Sequence, residues 1–317
     1  MTLPAVSHPS AADPAPPAGA GDSDWLPPEP VLHGGRLLDD GLTSQLRQLR
    51  QLQHLQGPQS LRGLILALMQ TPGSAREAQA WREETRELAG MQALHDRVHS
   101  LPEDARLPLL EWALHLNAHT EASQRADLLR SARRVMSADG RIRPIDRLRW
   151  LLMRHLLSGH ARPQGPVTMP RARAELALAD LPEDKRLAIA RLTAYLARMV
   201  PLSDPIAKVG TAGVAWYRAV MRSFWFEGAP ICQVPDGDQL VHAVADLQQL
   251  SWMQRPVLVR TWAQAALKVT ERLWRGEPLT LDAAEALRIA ALLLDSPVPG
   301  AVAERFIHLP DDAGPAH

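Results

Sequence analysis

Cysteine is almost absent, with Cys232 the single one in 317 residues. One thiol closes no disulfide framework and builds no thiolate zinc site. Nothing around it suggests acyl transfer, so Cys232 reads as a small packing residue, in keeping with a reducing compartment. Lysine is nearly as scarce: Lys185, Lys208 and Lys268 are the only ones, and arginine carries the rest of the positive charge. The 35 basic residues balance 35 acidic ones, for a formal net charge of zero. No global field therefore draws the chain to nucleic acid or to an anionic membrane surface. Long apolar runs are missing too. The longest, from Ala286 to Leu294, is broken by Arg288 and falls far short of the roughly 18 residues a membrane span needs. No alternating run of β-branched residues marks a strand, and neither a glycine-rich phosphate loop nor a Gly-x-Ser-x-Gly elbow is present. Residues 1–24 lack the basic start and apolar block of a secretory signal. Their Pro, Ala, Gly and Ser content predicts a disordered tail over about 1–30.

What is present is helical periodicity, and it predicts an all-α fold. Leu42, Leu46, Leu49, Leu52 and Leu55 recur on one face. A short apolar helix follows from Ser60 to Met69, and Ser74 is placed to cap a long one from Ala75 to about Ser100. Leu101-Pro102-Glu103-Asp104 starts another, with acids where the helix dipole favours them. The organising element is a helical hairpin. Arg125 to Ser137 and Pro144 to Leu157 are two amphipathic helices, and Gly140 can turn the chain between them. Asp139 and Asp146 lie at its bend. After it, Gly159 to Pro166 is rich in glycine and proline and reads as a linker.

The second half repeats the style of the first. Helices are expected over 188–200, 209–226, 240–250, 256–274 and 281–294. This divides the chain into a tail (1–30), a first helical subdomain (31–161), a linker (162–170), a second subdomain (171–308) and a short flexible end (309–317). Leu181-Pro182-Glu183-Asp184 echoes Leu101-Pro102-Glu103-Asp104, either as a recurring helix start or as the trace of a duplication. Gln254-Arg255, Arg275-Gly276 and Asp282/Glu285 fall in the same order as Gln124-Arg125, Asp139-Gly140 and Asp146.

In order and spacing, several of these segments resemble the C-terminal soluble helical region of bacterial M48-type membrane zinc metallopeptidases. The matching residues are Leu61 to Leu68, Arg106 to Leu114, Ala138-Asp139-Gly140-Arg141-Ile142, and Ala283 to Ala290 followed by Asp295 to Pro299. The resemblance spans about residues 33–300, but that family's peptidase core and transmembrane segments have no counterpart here. The Asp-Gly hairpins are also similar to the TerB-like fold, in which acidic helix ends can bind metal. The resemblance implies two TerB-like helical subdomains forming a non-catalytic interaction or regulatory module. It would lie in the bacterial cytoplasm, docked on a membrane metallopeptidase or another integral membrane protein. With Arg275-Gly276 in place of a second Asp-Gly, it implies no paired metal site.

Candidate chemistry outside that resemblance is thin. His95 and His99 stand at i,i+4 on one helix face, as in zinc peptidases, but the position after the first His holds Asp96 instead of the general-base Glu. His115 and His119 form a second such pair. Asp139 and Asp146, with Glu111, offer oxygens for a divalent cation, although no EF-hand ligand series surrounds them. No cofactor is expected. A cation-responsive sensor is the alternative to the interaction module, and a peptidase using His95 and His99 the third reading. The dense aromatic run Trp216, Tyr217, Phe224, Trp225 and Phe226 offers a patch for a protein partner if it is exposed.

Overall fold

Apolar faces at helical spacing pack here into layers of helices. The computed structural model describes residues 40–55, 57–158, 178–202, 209–225, 228–273 and 279–309. The expected tail at 1–30, the flexible end at 309–317 apart from Leu309, the linker at 162–170, the Arg275-Gly276 turn and Phe226 lie outside them. Among the described residues there are thirteen α-helices, one short 3-10 helix (Leu178–Asp180) and no strand. The all-α expectation holds.

The first half comprises α1 (Asp40–Gln53), α2 (Pro58–Leu68), α3 (Ala75–Glu84), α4 (Met91–His99), α5 (Glu103–Asn117), α6 (Ala122–Met136) and α7 (Pro144–Leu157). The second comprises α8 (Glu183–Leu196), α9 (Thr211–Met221), α10 (Gly237–Leu247), α11 (Gln254–Leu273), α12 (Leu281–Leu293) and the single turn α13 (Gly300–Ala303). Ser74 caps α3 as expected, its hydroxyl accepting from the Glu77 N–H at 3.3 Å. The long helix expected over 75–100 is two helices. The first stops at Glu84 with Thr85 as its C-cap, and Gly90 adopts φ 75° just before α4, a left-handed conformation that glycine takes at little cost.

The two halves repeat one arrangement. α2 packs on α5 and α3 on α6; α8 packs on α10 and α9 on α11. The clearest sign is an arginine at the start of α6 and of α11. Arg125 donates to the carbonyls of Ala118 and Thr120, seven and five residues before it, and to Leu157 at the end of α7. Arg255 donates to Gln248 and Leu250, at the same two offsets, and to Leu294 at the end of α12. Each arginine thus satisfies carbonyls that two helix C-termini leave without intrahelical partners. The Gln-Arg alignment seen in sequence therefore marks a structural repeat of α5–α7 and α10–α12. The Leu-Pro-Glu-Asp echo does not: it starts α5 and α8, which occupy different places in that repeat, so it is a recurring helix start.

The equivalent helices α7 and α12 pack against each other. Two cross-contacts flank them. Arg288 of α12 reaches Glu111 of α5 through two hydrogen bonds at 2.6 and 2.8 Å. On the other flank, Gln248 at the end of α10 meets His155 of α7 at 3.1 Å. A third tie, Arg149 to Glu285 at 2.6 Å, joins α7 to α12 directly. One continuous core runs from Leu49 to Phe306, and from Gly41 onward the chain forms one unit. No described helix is long and apolar enough to cross a membrane.

Candidate functional site

The bend of the α6–α7 hairpin is built by its own residues. α6 ends at Met136 with Ser137 as its C-cap, Gly140 turns the chain at φ 74°, and Pro144 occupies the first turn of α7. Asp139 accepts the Arg141 N–H at 2.8 Å, which is an Asx turn. Asp146, buried in the third helical position, accepts the Arg143 N–H at 2.9 Å and the Arg143 guanidinium at 2.8 and 3.1 Å. Both carboxylates are thus engaged by local donors. Glu111, the third candidate oxygen ligand, is held by Arg288.

His95, His99 and His115 are also engaged. His95 and His99 stack with ring centroids 4.0 Å apart and planes 25° from parallel. The His99 Nδ1 donates to the His95 carbonyl at 3.0 Å, and His95 Nε2 lies 3.1 Å from the Gln70 side-chain oxygen. Stacked rings hold their nitrogen lone pairs in nearly parallel planes, which do not converge on one ion. Burial, then the neighbouring His99, lowers the His95 pKa. His115 bonds its own-helix Glu111 carbonyl at 2.7 Å. Among the described residues, no three His, Cys, Asp or Glu side chains are grouped to hold a metal.

The aromatic run forms core, not surface. Trp216, Tyr217 and Phe224 are buried. Trp216 donates its indole N–H to the Trp262 carbonyl at 3.0 Å, and Tyr217 donates to Pro230 at 2.9 Å. The expected exposed patch is not formed by these three. An apolar helix face binding a partner and one packing on a neighbouring helix have the same periodicity. Trp225 is half-buried beneath the Arg186 guanidinium, 5.5 Å from its ring centroid. Burial pushes the Cys232 thiol up to about 11, as befits a packing residue.

The open apolar surface lies elsewhere. Where α7 faces the start of α10, a groove of about 540 Å³ runs along the outer side of the hairpin. Its floor is Ile142, Trp150, Leu151 and Val241, of which Ile142 is 53% exposed and Val241 37%. Arg133, Arg147 and Arg154 line it and are all exposed. The acids there are Asp238 and Asp146, and Asp146 is already paired with Arg143. The groove is therefore apolar at its base and positive at its rim. Sequence reasoning missed it because its two walls come from residues about ninety positions apart, brought together only when α10, packed on α8, comes to lie beside α7. The visible signal was local: Arg147, Trp150, Leu151 and Arg154 alternate charge and bulk along one helix.

No family model, curated protein or solved structure matches the chain.

Proposed function

We propose that this chain is a non-catalytic helical interaction module that receives an acidic, amphipathic segment of a protein partner in the groove between α7 and α10. The observation that carries this reading is the composition of that groove: an exposed apolar floor bordered by three arginines. An amphipathic helix laid in such a groove buries its apolar face on Ile142, Trp150 and Val241 and sets its acids against the rim. Arginine favours this role because its planar fork meets carboxylates through paired hydrogen bonds. The resemblance to the soluble region of membrane metallopeptidases supports an integral membrane protein, such as a peptidase, as the partner, met on the cytoplasmic side.

The test is a photo-crosslinking residue at Val241 in the full chain, expressed in its native cells and solubilised with detergent. One dominant adduct with a membrane protein is expected, and it should vanish when Arg147 and Arg154 are both changed to Glu. An adduct pattern unchanged by those substitutions would overturn the proposal, as would the same adducts from a crosslinker placed at the exposed Lys268 of α11, which does not line the groove. A defined Leu/Glu amphipathic peptide gives a second readout. It should change Trp150 fluorescence, with an affinity that falls as salt rises.

A further inference from the structure

On the other face of the same bend lies a second cavity, of about 400 Å³, which shares only Ile142 with the groove. Its size is that of a small-molecule site. Three helix N-termini line it: Glu103 opens α5, Pro144 opens α7 and Leu281 opens α12. The amide ends of helices carry partial positive charge and favour anions.

The side chains add to that field. Arg106, Arg141, Arg143 and Arg149 line the cavity against Glu103, Asp282 and Glu285. Two of the arginines are already committed, Arg149 to Glu285 at 2.6 Å and Arg143 to Asp146 at 2.8 Å. Arg106 is not. It is only 9% exposed, and its Nη2 is buried without a hydrogen-bond partner. A buried guanidinium nitrogen left in this state forfeits hydration without a hydrogen bond in return, which is costly for a folded chain to retain. Burial and the nearby Arg149 both oppose its charge, and Glu285 and Glu103 offset them only in part. Among the carboxylates, Asp282 is pushed toward its protonated form by burial and by Glu285 and Glu103, despite Arg149 and Arg143.

We infer that this cavity binds a compact ligand through a phosphoryl or carboxylate oxyanion, with Arg106 as the buried anchor and Arg141 as the exposed second arm. The oxyanion would give the buried Nη2 of Arg106 the hydrogen-bond partner it lacks. This goes beyond the docking reading, and either can fail alone, since the groove arginines Arg147 and Arg154 do not line the cavity.

The test is a thermal melt of the full chain in a zwitterionic buffer with inorganic phosphate, with acetate, or with sodium chloride at matched ionic strength. Phosphate or acetate at tens of millimolar should raise the melting temperature by about 2–5 °C, and chloride should not. The anion showing the larger shift distinguishes a phosphoryl from a carboxylate ligand. Arg106→Met should abolish the shift while melting at or above wild type without added anion, because it removes an unmatched buried charge. Arg141→Ala, at an exposed position, keeps the test open should Arg106→Met fail to fold, and should weaken the shift. An equal rise with chloride, no rise with either oxyanion, or a rise that survives in both variants overturns the inference.

Discussion

Arg125 and Arg255 show how much a single side chain can organise. Each gathers carbonyls from two helix ends, and a carbonyl bonded by a charged donor is worth more than one bonded by a neutral donor. Replacing Arg255 by Met should cost about 1.5–3 kcal/mol in urea unfolding, and Arg125→Met a similar amount. Lysine at either position should recover less than half of it, since one ammonium cannot reproduce the fork. Unequal losses from the two Met variants would argue against the equivalence of the two halves. A second residue-level prediction concerns acid. Glu84 is held by Arg134, Ser131 and Arg62, and those contacts, with the Arg134 hydrogen bond foremost, lower its pKa to about 2. A folded-state pKa below the unfolded one contributes stability above the ordinary carboxylate range and loses it as pH falls toward about 2. Glu84→Gln should therefore destabilise the protein at neutral pH and flatten the decline of its melting temperature between about pH 4.5 and 2. A parallel downward shift at every pH would refute the assignment.

At the scale of elements, most helices were legible because their apolar residues repeat at 3.6 and their starts carry recognised caps. Ser74 and Pro144 did at the helix N-termini what their chemistry predicts. The misses have physical causes. The helix that arginine and glutamate pairs seemed to carry through ends at Glu84, and a new one starts after Gly90, because i,i+4 pairing adds only tenths of a kcal/mol and does not set length. The single turn α13 and the 3-10 segment are too short to leave a period. Burial of Trp216, Tyr217 and Phe224 depends on which helix covers them, and periodicity alone is silent on that point. The same is true of close helix approach. A Cβ added at Gly213 in α9 would lie 2.0 Å from the Ala197 carbonyl oxygen at the end of α8, a backbone atom that cannot move aside. Gly213→Ala should thus cost more than about 2 kcal/mol by forcing α8 and α9 apart. Gly63→Ala meets the Met91 sulfur at 2.5 Å, the tip of a flexible chain, and should cost clearly less. Urea titration of both variants checks the order.

For the whole molecule, the issue is whether two repeated halves behave as two bodies or one. The linker expected between them lies outside the described residues, but the packing on either side speaks directly. The core is continuous, and the tie between Glu111 and Arg288 joins α5 to α12 with side chains only 12% and 17% exposed. Arg288 also lies over the Phe306 ring, 4.8 Å from its centroid, so the cation is packed as well as paired. Such a pair adds little net stability when intact but leaves a costly orphan when broken. Arg288→Met should therefore lose about 3 kcal/mol, and exchanging the charges with Glu111→Arg and Arg288→Glu together should restore more than half. The shape of the transition is the sharper test. If the seam couples the halves, far-ultraviolet dichroism and Trp fluorescence will report one coincident unfolding curve in wild type and in Arg288→Met alike. Two separated transitions would mean that each half carries its own stability. The groove between α7 and α10 would then be a mobile joint between bodies, whereas a preformed docking surface requires the single curve.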